Sequence, residues 1–268
     1  MAKQRKQKRE ASSVIASIVG VIVFVFLALP IVVIIFSAFS PTAFPEVPPS
    51  GFSTQWFASV FTSRGWIRAI KTSLWLLVIV TPITVVLGTL AAYALRRMTG
   101  RFASFLQSFI MSPLMVPQIV LGIALLYVFS AIGVNGSIWT MALGQCVIAV
   151  PYVVRCVNAS MASFDSRLED ASMSLGADGG YTFRHVTLPL IKPGIIAGAV
   201  FAAVTSLGEV SISLFLSSPS NTPVSVRIFN YIEQTFDPAV TAVSVIFVVI
   251  SIVVLIVLDR TVGLSKVM

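Results

Sequence analysis

Charge is what this sequence has least of. Of its 268 residues only 10% are Asp, Glu, Lys or Arg, while 57% are hydrophobic, and the mean hydropathy is +0.97. A water-soluble domain carries charge on roughly a quarter of its residues, so this chain cannot clothe a globular surface in water. A cytosolic enzyme, a disordered regulator and a collagen-like chain are excluded. Histidine occurs once, at His185; one imidazole without Cys, Asp or Glu at ligand spacing does not make a metal site. The two cysteines, Cys146 and Cys156, stand ten residues apart in one apolar segment. On a helix that is about 15 Å of rise, beyond the roughly 7 Å that a disulfide tolerates, so they read as small hydrophobes. The phosphate-loop pattern G-x-x-x-x-G-K-[ST] is missing, as are H-E-x-x-H and G-x-S-x-G. The expectation is a chain that holds no cofactor and catalyses nothing alone.

What the sequence does have is long uncharged runs bounded by basic residues. No charge falls between Glu10 and Glu46, between Lys71 and Arg96, or between Asp237 and Asp259. A bilayer crossing needs about 20 apolar residues. The stretch from Arg101 to Arg155 is too long for one crossing, and the turn signal Gly133-Val134-Asn135-Gly136 divides it. Six transmembrane helices are expected, at about 14–39, 72–95, 105–131, 137–157, 194–216 and 238–258. The first run is longer than the h-region of a signal peptide and lacks a clear small-x-small cleavage site, so it reads as a retained helix. Residues 1–13 form a basic terminus and 261–268 a short tail. The fold class is therefore all-α and integral to the membrane.

Lys and Arg total 18 against 10 Asp and Glu, a net charge of +8. Fourteen of the basic residues fall on one side of the expected topology: Lys3 to Arg9, Arg96, Arg97, Arg101, Arg155, Arg167, Arg184, Lys192, Arg260 and Lys266. Four fall on the other: Arg64, Arg68, Lys71 and Arg227. The positive-inside rule then puts both termini in the cytoplasm and removes the case for a nucleic-acid partner. The outer segment 41–69 starts Pro-rich and continues with Trp56, Phe57, Phe61 and Trp66, which suit a short amphipathic helix at the outer interface.

The inner loop 159–192 is the most organised polar stretch. Ser166 to Leu175 predicts a short helix stopped at Gly176, where glycine can take a left-handed cap conformation. A second short turn is expected from Tyr181 to Val186, with Leu188-Pro189 closing it before the next span. Two short helices at a sharp angle would make a compact knob. Ala171 and Ser172 would let another backbone approach, Leu175 and Phe183 would serve as apolar anchors, and Arg184 could meet a rim carboxylate.

This loop resembles the EAA loop of ABC-transporter importer permeases: Glu-Ala-Ala, three residues, Gly, nine residues, Ile-x-Leu-Pro. Here the counterparts are Asp170-Ala171-Ser172, Gly176 and Val186-Thr187-Leu188-Pro189. Both spacings fit, with Asp for Glu, Ser for the second Ala and Val for Ile. Thr81 to Arg97 resembles the second-span region of type I importers. Ser206 to Pro219 and Pro223 to Glu233 resemble the second permease subunit of spermidine/putrescine-type importers. The similarity covers about residues 14–260. It implies the type I permease fold, location in a bacterial inner membrane, and a coupling role for Glu169, Asp170, Ala171, Ser172, Leu175, Gly176, Phe183, Arg184, Leu188 and Pro189. It further implies as partners two copies of a P-loop ATPase that hydrolyses ATP with Mg, a second permease forming a heterodimer, and an extracytoplasmic substrate-binding protein. A polyamine is the favoured cargo; relatives of the subgroup carry aminoethylphosphonate, ferric iron, thiamine or opines. A stand-alone channel or secondary transporter would need no ATPase and is the alternative of another class. A lipid-modifying membrane enzyme would need clustered polar groups at one interface, and only scattered singles exist.

Glu209 is the only acid inside an apolar run. An intramembrane carboxylate costs about 2.5–3.5 kcal/mol on insertion scales and faces a cavity or a partner. If span five is one straight helix, Glu209 lies about 24 Å beyond Pro193. Gly198, Ala202, Thr205, Glu209 and Ser213 then form one small or polar stripe, a candidate lining of the translocation path. Two roles stay open for Glu209, a transient site for an amine and a structural hydrogen bond or ion pair.

Overall fold

The protein is described by a computed structural model covering residues 2–42, 48–165, 167–234 and 239–262; side chains are described from Ser17, except those of 234, 258, 259, 261 and 262. Part of the Pro-rich outer segment, Ser166, Pro238 at the expected start of span six, and the tail beyond Val262 lie outside the described residues. Among those described, every regular element is helical, and five helices are long and apolar enough to cross a bilayer, or six spans if a bent pair counts as one.

Two compact units divide the chain. The first comprises residues 1–63 and 234–248, the second 64–233 and 249–268. In the first, α1 runs over Ala2–Ala38, and its stretch Ser17–Ala38 is the apolar part. Phe24 and Phe26 stand more than 70% exposed on it, as lipid contact favours where no water competes. A short helix α2, Gln55–Thr62, folds back on the end of α1. Trp56 Nε1 donates to Ser40 O at 2.8 Å and Gln55 Nε2 to Pro41 O at 2.8 Å, while Phe57 packs on Phe39 with centroids 5.0 Å apart. The expected interfacial helix is thus shorter than its four aromatics implied. Trp66 belongs to the next helix and is buried.

The second unit opens with α3, Arg64–Arg97. This span begins eight residues before the expected 72, so Arg64, Arg68 and Lys71 ride on its first two turns. The expected third span is the clearest departure. Residues 105–131 do not form one helix: α4 (Arg101–Met111), a 3-10 turn (Ser112–Leu114) and α5 (Gln118–Ala131) are bent by 103°. Pro113 and Pro117 explain the break. Each lacks an N–H to continue the ladder; Ser112 before Pro113 stays helical, with φ −57° and ψ −34°, and the chain leaves helical geometry at Pro117, which is extended with ψ 126°. The predicted turn follows, with Gly133 and Gly136 at positive φ. Then comes α6, Ile138–Ala162, whose first turn is capped by the Ser137 hydroxyl accepting from Thr140 N–H.

Helices α3 and α6 pack with α9 (Leu188–Gly208) around Leu76, Val80, Ile148, Val153 and Ile191. Glycine makes this close approach possible. A Cβ at Gly88 would lie 2.6 Å from Val153 Cβ, and one at Gly194 would lie 2.5 Å from Ser160 Cβ and 2.6 Å from Cys156 O. Small residues at such crossings are the usual route to tight packing where no hydrophobic effect drives association.

The expected fifth span, 194–216, is also interrupted. Helix α9 ends at Gly208, and a six-residue helix α10, Ser211–Leu216, follows. The unit then adds α11, Val224–Gln234, whose first N–H is satisfied by Ser73 Oγ at 2.9 Å. The last helix, α12, covers Ala239–Val262.

Candidate functional site

The inner loop builds a small, well-capped knob. Helix α7 covers Arg167–Ser174, with Glu169 and Asp170 in its first turn, where carboxylates suit the positive end of the helix dipole. Its end is a paired-bond cap: Gly176 N–H donates to Met173 O at 3.0 Å and Ala177 N–H to Ser172 O at 3.2 Å. That pattern requires a left-handed residue between, and Gly176 supplies it with φ +91°. Asp178 then caps the next turn, its Oδ1 accepting from Tyr181 N–H at 2.6 Å.

From there the structure departs from the expected second short helix. The turn α8, Gly179–Thr182, continues through a π turn, Phe183–Thr187, directly into α9. Together they form one apolar helix from Gly179 to Gly208, so Leu188-Pro189 closes nothing. The π turn lets Leu188 N–H reach back to Phe183 O, and Pro189, with no N–H, follows where the regular ladder is already widened.

The predicted loop residues divide into two sets. Leu175 stands 89% exposed at the tip, with Tyr181 more than half exposed and stacked on His185 at 4.0 Å. Asp170, Ala171, Gly176, Arg184 and Pro189 are also exposed. Ser172, Leu175, Gly176, Ala177, Asp178 and Tyr181 line an open concavity of about 530 Å³. The other set turns inward. Phe183 is no free anchor, because its ring packs on Tyr93 of α3 with centroids 4.6 Å apart. Leu188 is half-buried. Ser172 shares a 3.0 Å hydrogen bond with Thr182. Glu169 accepts from the Thr187 hydroxyl and lies 3.7 Å from Arg97 Nη2, and the Arg97 guanidinium sits over Tyr93 at 4.4 Å. Arg97, Tyr93 and Thr187 are missed from sequence. Arg97 reads there only as a topology charge, and nothing local pairs it with a residue 72 positions on.

Glu209 occupies the break between α9 and α10. Its backbone is extended, with ψ 119°, so the rise along a straight helix no longer gives its depth. The carboxylate caps α10: Ile212 N–H donates to it at 2.7 Å, Ser213 N–H at 2.8 Å and the Ser213 hydroxyl at 2.7 Å. A directed chain extends from there. Gln145 Nε2 donates to Ser213 Oγ at 2.9 Å, and Ser206 Oγ donates to Gln145 Oε1 at 2.7 Å. Gln145, Ser206, Glu209 and Ser213 are all buried. The polar stripe therefore turns towards α6, with Gly198 against Val153, and only Thr205 among its polar members is half-buried. A mid-span Gln at 145 is the signal that could have exposed this network.

The family of binding-protein-dependent transport system inner membrane components matches residues 84–264. The chain belongs to this family. It is a permease subunit of an ABC importer and an inner-membrane protein; the family's ATPase is a separate subunit. Among curated relatives, the spermidine/putrescine permease PotC of Escherichia coli K12 is 28% identical over 234 residues, covering 87% of this chain and 88% of that one. PhnV of Salmonella paratyphi A, assigned to 2-aminoethylphosphonate transport, is 27% identical over 254 residues and 94% of each chain. A chain of a bacterial ABC transporter that imports alginate superposes with a TM-score of 0.74 at 16% identity, covering 97% of this chain and 98% of that one. The MetNI methionine transporter gives 0.60 at 18%, over 75% and 98%. The expected importer-permease fold is the fold observed.

Proposed function

We propose that this permease forms half of the path for a small solute bearing an aliphatic ammonium group, a polyamine such as spermidine or putrescine in the first place. The two curated relatives support that chemistry, since the solutes in their names share a primary amine. In this reading both termini are cytoplasmic. The Leu175 tip and its concavity seat in a cleft of a P-loop ATPase, two copies of which hydrolyse ATP with Mg while this chain holds no cofactor and hydrolyses nothing itself. A second, different permease completes the path, and an extracytoplasmic binding protein delivers the solute. Asp170, Ala171, Ser172, Gly176 and Arg184 face the ATPase; Glu169, Phe183, Leu188 and Pro189 join the knob to the helices behind it. Thr205 borders the path, and Glu209 and Ser213 shape its wall from behind.

The observation that carries the coupling role is the exposed tip itself. A leucine 89% exposed on a doubly capped turn is an apolar anchor held ready for a partner's pocket. ATP-driven closure then favours one state of the bundle because the ATPase binds the knob differently in the two states. Proteoliposomes holding the assembled transporter, supplied with the binding protein, test the cargo. ATP-dependent uptake of labelled spermidine, competed by putrescine, is expected. Uptake of 2-aminoethylphosphonate alone would move the assignment to the second reading, which its match over 94% of both chains favours.

A further inference from the structure

We infer that Arg97, seated on Tyr93, is a positioning residue that transmits displacement of the knob to the transmembrane bundle. The inference rests on the docking role proposed above and concerns what lies behind the docking face. Glu169 is gripped from two helices at once: by Arg97 at the end of α3 and by the Thr187 hydroxyl at the head of α9. Beside this grip, the Tyr93 ring of α3 packs at a tilt on Phe183 of the π turn, centroids 4.6 Å apart, and the Arg97 guanidinium covers Tyr93 at 4.4 Å. Ser172 of α7 is tied to Thr182 by a further hydrogen bond. The three helices thus meet through the two contacts to Glu169, the Ser172–Thr182 hydrogen bond and one tilted aromatic pair, and α3 and α9 pack on each other and on α6.

The head of α9 follows the knob in any case, because it is continuous with α8. Helix α3 is different. It has no covalent neighbour in the knob and meets α7 through Arg97, besides packing along α9. The Arg97–Glu169 pair is the one ion pair among the described residues. An exposed pair contributes little to stability, and the Arg97 side chain is 45% exposed. Its placement matters for direction of force: a push on α7 reaches α3 directly while the contact stands, and only by way of α9 once it is cut. The Phe183–Tyr93 ring contact sets the distance, and the charge pair sets the register.

The test uses the full transporter in nanodiscs with its ATPases, second permease and binding protein. This chain carries Thr205→Cys as its only cysteine, and the probe is a membrane-impermeant maleimide. In the parent complex, ATP with vanadate is expected to change the labelling rate by about fivefold or more, the lower end of ordinary coupling between sites. In Arg97→Gln, nucleotide should still be trapped while the labelling response falls to less than half of the parent's. Arg97→Lys should regain most of the response, since it restores the charge opposite Glu169. A parental response in Arg97→Gln would overturn the latch and leave the docking role intact. Loss of trapping together with the response would also overturn it, since the residue would then serve assembly. A parent complex without bound ATPase, or without any response to nucleotide, would refute the docking role and the latch with it.

Discussion

Replacing Glu209 by alanine separates two roles that an intramembrane carboxylate can play. The side chain accepts three hydrogen bonds, from Ile212 N–H, Ser213 N–H and the Ser213 hydroxyl, and it is buried. The hydroxyl can rotate to another acceptor, but the two amides cannot. Each buried donor left without a partner costs about 1–3 kcal/mol, and losing a helix cap costs about 0.5–2 kcal/mol by itself. Relief of the carboxylate's own burial offsets part of that. A net loss of roughly 2–4 kcal/mol is expected. At about 2–4 °C per kcal/mol for a chain of this size, the melting temperature should fall by roughly 4–16 °C. Glu209→Gln keeps one carbonyl for one of the two amides and should lose about half as much. The assay is thermal denaturation of the detergent-solubilised transporter, followed by size exclusion, beside uptake in proteoliposomes. The reasoning is refuted if Glu209→Ala melts like the parent yet transports nothing, because the carboxylate would then be meeting solute.

Gly176→Val should leave membrane insertion normal but abolish uptake. A Cβ there meets open space, so the cost is the left-handed backbone, about 1–2 kcal/mol for an ordinary residue and more for a β-branched one; Gly176→Asn should be milder, and ATPase co-purification reads both. Gly194→Ala should drive α6 and α9 apart, at about 1–3 kcal/mol of overpacking, seen as a lower melting temperature without loss of ATPase docking. Gln145→Leu strands the hydroxyl of Ser206 and removes a donor from Ser213. It should destabilise by about 1–3 kcal/mol, while Gln145→Leu combined with Ser206→Ala should recover part of that, as a double-mutant cycle would show.

Much of the fold could be read from sequence because lipid imposes a one-dimensional rule. A helix must be apolar for its length, and the runs ending at Ala38, Arg97 and Ala162 obey it. What escaped reading was continuity. Pro113 and Pro117 split span three by 103°, while Pro189 and Pro193 lie inside an unbroken helix. Proline marks where a ladder bond is lost, and the surroundings decide whether the chain bends or a π turn absorbs it. The knob was readable at Gly176, since a left-handed cap leaves a local pattern. Its inward half was not: Arg97–Glu169 and Tyr93–Phe183 join residues far apart in the chain. Glu209 stood out as a lone acid, but its role depended on a helix break that its own carboxylate caps.

The most direct test of the coupling account is a crosslink from Leu175. With a photoreactive residue at that position in native membranes, ultraviolet light should join this chain to a P-loop ATPase subunit, identified by mass spectrometry. Transfer of the same residue to Phe61, exposed on α2, should yield no ATPase adduct. An adduct from Phe61 and none from Leu175 would contradict the account, because the capped tip would then face something other than the subunit that drives transport.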